Sequence, residues 1–174
     1  MTTYKLLFVW VEGDDDERFF NKILSSKFQK KYSAVKIVKY ATMKKEKVDS
    51  FIRSIKSMGA DYIYLRDINN SPCVTAKKEE IRNKYKNIDK DRVVIVVKEI
   101  ESWYLAGLDN EVCKQLKIKN FANTDNVSKE KFNALIPKKF SRIDFMSEIL
   151  KNFSIEIAKQ KNKSFRYFVE KYDC

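Results

Sequence analysis

The sequence contains no histidine in its 174 residues. This absence excludes Ser-His-Asp and Cys-His nucleophiles, acid–base chemistry by imidazole, and zinc sites with histidine ligands. Any catalysis by the chain must therefore depend on carboxylates, lysine, tyrosine or a bound metal ion.

Cysteines and long apolar segments are scarce as well. Cys73, Cys113 and Cys174 show no C-x-x-C spacing, so neither a cysteine-based zinc site nor a disulfide framework is indicated. The longest apolar stretches, such as Leu6 to Val11, are far shorter than a membrane span. We therefore expect a soluble protein of the reducing cytoplasm, with no membrane partner.

Positive charge exceeds negative charge along the whole chain. With 36 Lys and Arg against 24 Asp and Glu, the net charge is +12, of which residues 1–108 carry +7 and residues 109–174 carry +5. Such a surface attracts phosphate polyanions at moderate salt, but a lysine-rich surface can also be merely solvated. Charge alone therefore leaves nucleic-acid binding and simple solvation as open alternatives. Three lysine pairs are interpreted individually as solvated surface: Lys44-Lys45, Lys77-Lys78 and Lys138-Lys139.

Strand and helix patterns alternate in the first hundred residues. A nearly continuous apolar run predicts a strand at residues 4–11, and further strands are predicted at residues 34–40, 61–65 and 92–97. Helical spacing predicts helices from residue 14 to about residue 30, at residues 46–58 and at residues 74–85. This alternation predicts parallel strands joined by right-handed crossovers.

Beyond residue 100 the sequence has helical patterns only, at residues 101–108, 110–116, 128–135, 143–159 and 164–172. We therefore predict one domain over residues 1–174. Its α/β core (1–100) is a Rossmann-like, mainly parallel four-stranded sheet flanked by helices. An all-helical extension (101–174) packs on this core, and Trp10 and Trp103 are predicted to be buried.

Acidic and amide side chains recur where the predicted strands end. Glu12 follows the first strand, Asp67 and Asn69 follow the third, and Glu99 follows the fourth. Because the carboxyl ends of parallel strands share one edge, where open α/β sheets bind ligands, we expect these side chains to converge. Crowded carboxylates repel one another unless a cation neutralises them, and oxygen ligands suit Mg²⁺ or Mn²⁺. Such a site suits phosphate-ester chemistry and needs no histidine.

These residues resemble the Toprim motif set. Glu12-Gly13 follows an apolar strand, Asp16 lies four residues on, and Asp67-x-Asn69 follows the third strand. The segment VKEIESWYLAG (97–107), with Glu99 and Glu101, resembles the E-x-E-x-W-type motif of a compact prokaryotic Toprim-related family. That family is akin to the Toprim domain of the OLD (overcoming lysogenization defect) nucleases, and the C-terminal NKSFRYFVEKY resembles its final helix.

The resemblance implies a Toprim fold, an acid–base or metal-binding role for Glu12 and metal binding by Asp67. Asn69 departs from the pattern, which has a second aspartate there. Its carbonyl oxygen can still bind metal, but one negative charge is lost and metal affinity falls. Asp16, Glu99 or Glu101 could restore that charge; alternatively, the site serves binding without turnover.

Each of these residues also has a structural interpretation, and Glu12, next to Gly13, could simply belong to the turn from strand to helix. The acids of residues 14–17 suit the start of a helix, and Asp67 and Asn69 are ordinary turn formers. Glu99 or Glu101 can cap a helix that begins there. Lys98 either orients a substrate phosphate or only balances the charge of the acids.

Two functions follow. The first is a Mg²⁺- or Mn²⁺-dependent phosphodiesterase, a nuclease, with catalytic residues Glu12 and Asp67 and a phosphate contact from Lys98. Its predicted metal ligands are Glu12, Asp16, Asp67, Asn69, Glu99 and Glu101. The second is a non-catalytic nucleic-acid-binding or regulatory module on a degenerate Toprim scaffold, with a protein partner in nucleic-acid processing or defence. The sequence leaves open the choice of DNA or RNA and the oligomeric state.

Overall fold

A computed structural model of the chain describes residues 4–174, so the first three residues of the predicted domain lie outside the described part. Its parallel four-stranded sheet has the order β2-β1-β3-β4. The strands are β1 (Leu6–Val11), β2 (Ala34–Lys39), β3 (Asp61–Asp67) and β4 (Val93–Val96). The predicted α/β class, parallel pairing and strand positions are confirmed. β3 runs two residues further than predicted, which makes Asp67 its last residue.

Helices connect the strands of the α/β part. After β1 come α1 (Asp14–Phe19), a π-helical turn (Phe20–Leu24) and α2 (Ser25–Phe28) without a break. In the π turn the backbone N–H of Ser25 donates to the carbonyl of Phe20, five residues back, which adds a residue to that turn. The later connections are α3 (Lys45–Ser57), α4 (Val74–Lys84) and a 3₁₀ turn (Lys90–Arg92).

Both faces of the central strands are buried, as their apolar sequences predicted. Because strand side chains alternate between faces, one face presents Phe8 and Trp10 of β1 and Tyr62 and Tyr64 of β3. These four pack in one core cluster with apolar side chains of α3 and α4: Val48, Ile52, Ile55 and Ile81. The residues of the opposite face are buried as well: Leu7, Val9, Val11, Ile63 and Leu65.

The chain divides into two compact units, one up to Ile95 and one from Val96. After β4 the described chain forms helices: α5 (Glu101–Ala106), α6 (Asn110–Leu116), α7 (Lys129–Leu135), α8 (Arg142–Lys151), α9 (Ile155–Lys161) and α10 (Lys163–Tyr172). Trp103 is fully buried, as predicted, and its ring contacts those of Phe165 and Phe168. Within residues 4–174, no helix has the length and apolar character needed to cross a bilayer.

The single helix predicted over residues 143–159 is wrong, because the chain forms two helices there. α8 ends at Lys151, and the hydroxyl of Ser154 caps α9 by accepting from the backbone N–H of Ile157 at 3.4 Å. The backbone N–H of Ser154 donates instead to the carbonyl of Gly107 at 2.9 Å. Apolar spacing continues across the break and concealed it, whereas the serine was the available signal.

Candidate functional site at the carboxyl edge of the sheet

Glu12 directly follows β1, and its two carboxylate oxygens differ in environment. Its backbone carbonyl accepts from Ala41 at 3.3 Å, so the chain still runs beside the end of β2. Oε1 lies 3.5 Å from the guanidinium of Arg66. Oε2 is buried and has no hydrogen-bond partner. Since an unsatisfied buried acceptor costs on the order of 1–3 kcal/mol, this oxygen is suited to receive a proton, a water molecule or a cation.

Arg66 is a site residue that the sequence interpretation missed. It precedes Asp67 in β3, and the register that pairs Trp10 with Tyr64 brings it level with Glu12 two residues further on. Its guanidinium also lies 5.9 Å from the ring centroid of Tyr40. Burial raises the pKa of the Tyr40 phenol, and the negative charge of Glu12 adds to that effect while Arg66 opposes it. Arg66 is thus a cation beside the Glu12 carboxylate.

Asp67 reaches the same edge as Glu12 from the other face of the sheet. Side chains alternate along β3, so Arg66 lies on the face of Tyr64 and Asp67 on the opposite one. Glu12 contacts Arg66 and therefore belongs to the Tyr64 face. Because the two side chains lie on opposite faces, a single cation could contact both Glu12 and Asp67 only if it lay beyond the ends of the strands. Asn69 is exposed and has a left-handed backbone, with φ of 49°, which suits a turn.

The acids that open α1 have local partners. Asp16 accepts a hydrogen bond from the backbone N–H of Gly13 at 3.2 Å and thereby caps the helix. Asp14 pairs with Lys39 at 2.7 Å, and this hydrogen bond lowers the pKa of the Asp14 carboxyl. These contacts agree with the structural interpretation of the segment.

The predicted site residues after β4 have partners within the helical unit. Glu99 accepts a hydrogen bond from the backbone N–H of Lys129, the first residue of α7. Glu101 is 3% exposed and pairs with Arg142 at 2.6 Å. Burial raises the pKa of Glu101, while the hydrogen bond and charge of Arg142 oppose the rise. Lys98 is exposed, with a left-handed φ of 64°.

Among residues 4–174, no three Asp, Glu or Cys side chains form a group that could hold a metal ion. Mg²⁺, however, is commonly bound by one or two carboxylates together with substrate phosphates. Glu12, with its buried unpartnered oxygen, and Asp67, which ends the neighbouring strand on the opposite face, could form so sparse a ligand set only over the strand ends. Glu99 and Glu101 do not fit it, because their carboxylates already bind Lys129 and Arg142.

The loop that leaves β3 forms a pocket of about 360 Å³ with the start of α4. Lys77 lines this pocket and is 4% exposed, so its interpretation as solvated surface is wrong. Its ammonium lies 2.9 Å from both carboxylate oxygens of Glu80, and the Ser71 hydroxyl donates to the same carboxylate at 2.9 Å. The Lys-Lys pair gave no sign that one of its members turns inward.

Fold and site together define an α/β protein with a Rossmann-like parallel sheet and a polar carboxyl edge. No protein-family model, curated protein or solved structure gives a significant match to this chain.

Proposed function

We propose that this chain is a Toprim-type domain that performs divalent-metal-dependent phosphodiester chemistry on nucleic acid, as a nuclease. The observation that carries the proposal is the buried, unpartnered Oε2 of Glu12 at the end of β1. Glu12 occupies the position at which the motif resemblance implies an acid–base or metal-binding glutamate. Asp67, the last residue of the neighbouring β3, supplies a second carboxylate at that edge.

Mg²⁺ or Mn²⁺ would be held by Glu12 and Asp67, with Asp16 and Asn69 assisting. A bound ion supplies charge stabilisation at phosphate oxygens and makes water more acidic. Arg66 compensates the Glu12 carboxylate when no ion is bound. A guanidinium can also hold a phosphate through two parallel hydrogen bonds, so Arg66 is suited to orient the substrate.

Nucleic acid is the proposed substrate because the excess of positive charge extends over the whole chain. Both residues 1–108 and residues 109–174 carry net positive charge. Backbone contacts from lysine and arginine position a nucleic acid without reading its sequence, and they require no conserved motif. Binding should therefore weaken steeply as salt rises.

A second candidate is a nucleic-acid-binding or regulatory module without turnover. The observation that favours it is the use of Glu99 and Glu101 inside the helical unit. With Asn69 in place of an aspartate, few carboxylates remain to bind metal. In this case no metal ion would replace Arg66, and the Glu12 carboxylate would stay paired with its guanidinium.

The test is cleavage of single- and double-stranded DNA and RNA in Mg²⁺, Mn²⁺ or EDTA. We expect Glu12→Gln and Asp67→Asn each to lower the cleavage rate by about 10²–10⁴-fold, since each removes a charged ligand or proton acceptor. Glu99→Gln is the matched control, because its amide oxygen can still accept from Lys129, and it should retain activity.

Cleavage that survives both Glu12→Gln and Asp67→Asn would contradict the proposed site. A wild-type protein that cleaves none of these substrates but binds them in a salt-dependent way would establish the second candidate instead.

A further inference from the structure

Lys77 is buried to a degree that is rare for lysine, which is almost never fully buried unless paired. It lies in the first turn of α4 and is 4% exposed. An ammonium group has three donors, and the hydrogen bonds of Lys77 within the described chain go to the two oxygens of Glu80. One donor of a buried cation is therefore left without an acceptor in residues 4–174.

The pocket that Lys77 lines has the chemistry of a phosphate site rather than a base site. Its lining is polar apart from one proline: Asn69, Asn70, Ser71, Pro72, Lys77 and Glu80. No aromatic side chain lines it, so base stacking, the usual way to hold a nucleobase, is not provided. Its volume is about 360 Å³, which leaves room for a phosphate group.

The pocket lies beside the candidate site. Its first lining residue, Asn69, lies two residues after Asp67, the last residue of β3. The hydrogen bonds from Lys77 and Ser71 hold the pKa of Glu80 below its usual value, and the charge of Arg66 contributes in the same direction. The positive charges of Lys77 and Arg66 thus both favour a negatively charged group at the position of the Glu80 carboxylate.

We propose that this pocket, the Lys77 pocket, binds a backbone phosphate of the nucleic acid adjacent to the phosphate that reacts at Glu12 and Asp67. The identity of the polymer rests on the proposed function. Without nucleic acid, the Glu80 carboxylate takes the place of the phosphate, accepting from Lys77 and Ser71. The side chain of Glu80 is 59% exposed and has space to turn away. Lys77 and the Ser71 hydroxyl then donate to phosphate oxygens.

A purely structural role for the Lys77–Glu80 pair gives a different expectation. If the pair only fastens the loop to α4, removal of either charge loosens the loop and weakens any binding there. If Glu80 competes with phosphate, Glu80→Gln removes a repelling charge and strengthens binding. The two roles therefore predict opposite signs for Glu80→Gln, whereas Lys77→Gln alone does not separate them.

The experiment is fluorescence anisotropy with a short fluorescein-labelled single strand, as DNA and as RNA, in EDTA so that no cleavage occurs. We expect Lys77→Gln to weaken binding about tenfold and to reduce the slope of log K against log salt by about 0.7, the value for one phosphate contact on a single strand. Glu80→Gln should tighten binding about threefold, because like charge near the ligand is removed. Arg82→Gln, an exposed charge on the same helix, should change binding less than about twofold.

Weaker or unchanged binding by Glu80→Gln would overturn the proposal, as would equal effects of Lys77→Gln and Arg82→Gln. Urea unfolding of each variant identifies any loss of binding that is a loss of fold. The outcome is separable from the nuclease proposal. If the wild type binds in a way that depends on Lys77 but does not cleave, the phosphate site in the Lys77 pocket is supported and the nuclease proposal is rejected. If Glu12→Gln loses cleavage while Lys77→Gln binds as tightly as the wild type, the phosphate site in the Lys77 pocket is rejected and the nuclease proposal is supported.

Discussion

The carboxylate of Glu101 is buried beside the guanidinium of Arg142, at 2.6 Å. We expect Arg142→Met to destabilise the fold by about 3 kcal/mol at neutral pH, because a buried charge then loses its partner. Urea denaturation measures this loss. The double variant Glu101→Leu with Arg142→Met removes both charges and should recover most of it. A double variant as unstable as Arg142→Met would show that the lost contacts of Arg142 with Asn133 and Phe132 dominate.

The effect of Arg142→Met should also depend on pH. Burial raises the pKa of Glu101, and loss of Arg142 removes an influence that opposes the rise. A carboxyl whose folded pKa lies above its unfolded pKa binds its proton more tightly when folded. Its contribution to stability is present below the unfolded value, about pH 4, and is lost as pH rises through the folded value. The destabilisation should therefore be smaller near pH 4 than at pH 7.

The site residues differ in how far the sequence could predict their roles. Glu12 and Asp67 were located correctly at strand ends, because parallel strands deliver their carboxyl ends to one edge. The partners of Glu99 and Glu101 are Lys129 and Arg142, which lie 30 and 41 residues further along the chain. No local sequence pattern connects residues so far apart. The prediction that Glu99 and Glu101 bind metal was therefore made without knowledge of these contacts.

Three helices end in the same left-handed motif: α10 does so at Asp173, and α3 and α6 do so with two other residues. Gly59 follows α3 with φ of 67°, and Lys117 follows α6 with φ of 59°. In both, the next residue donates to a carbonyl five residues back: Ala60 to Ile55 at 3.1 Å and Ile118 to Cys113 at 3.0 Å. Glycine adopts this conformation without the steric cost of a Cβ.

We expect Lys117→Gly to raise the free energy of unfolding by about 0.5–1 kcal/mol, because glycine removes the steric cost of the left-handed backbone. Gly59→Ala should lower it by about 1 kcal/mol for the same reason. Urea denaturation measures both. Lys117→Ala is the control, since it removes the charge but keeps the Cβ; a gain as large as that of Lys117→Gly would attribute the effect to charge.

At the scale of elements, periodicity located the helices but not every break between them. α8 and α9 were predicted as one helix because apolar spacing continues through Phe153. That ring lies against Gly107, where an added Cβ would come within 2.2 Å of it. The break thus serves a tertiary contact with a segment more than forty residues earlier, which helical periodicity cannot reveal.

For the whole molecule, the alternation of buried strands and helices was enough to predict a parallel sheet, since few topologies satisfy it. The strand order was not readable from the sequence. It places β1 beside β3, and this adjacency brings Arg66 against Glu12 and puts Asp67 at the neighbouring strand end. The composition of the candidate site therefore depends on the topology as well as on the acids.

Binding of metal at this edge should raise the stability of the whole protein. An ion that binds only the folded state at ten times its Kd adds about 1.4 kcal/mol, or about 3–6 °C in Tm for a chain of this size. We expect MnCl₂ to produce such a shift in a thermal unfolding scan of the wild type. Glu12→Gln should lose it, and Glu99→Gln should keep it, because Glu99 is bound to Lys129.

Arg66→Gln provides the opposing test in the same scan. Arg66 is the cation beside Glu12, and an arginine that compensates this carboxylate also repels a divalent ion. Its removal leaves Glu12 uncompensated, so Arg66→Gln should begin with a lower Tm but gain more than the wild type on addition of Mn²⁺. The same gain in Arg66→Gln, the wild type and Glu12→Gln would mean that Mn²⁺ binds elsewhere, and the site at the carboxyl edge would have to be abandoned.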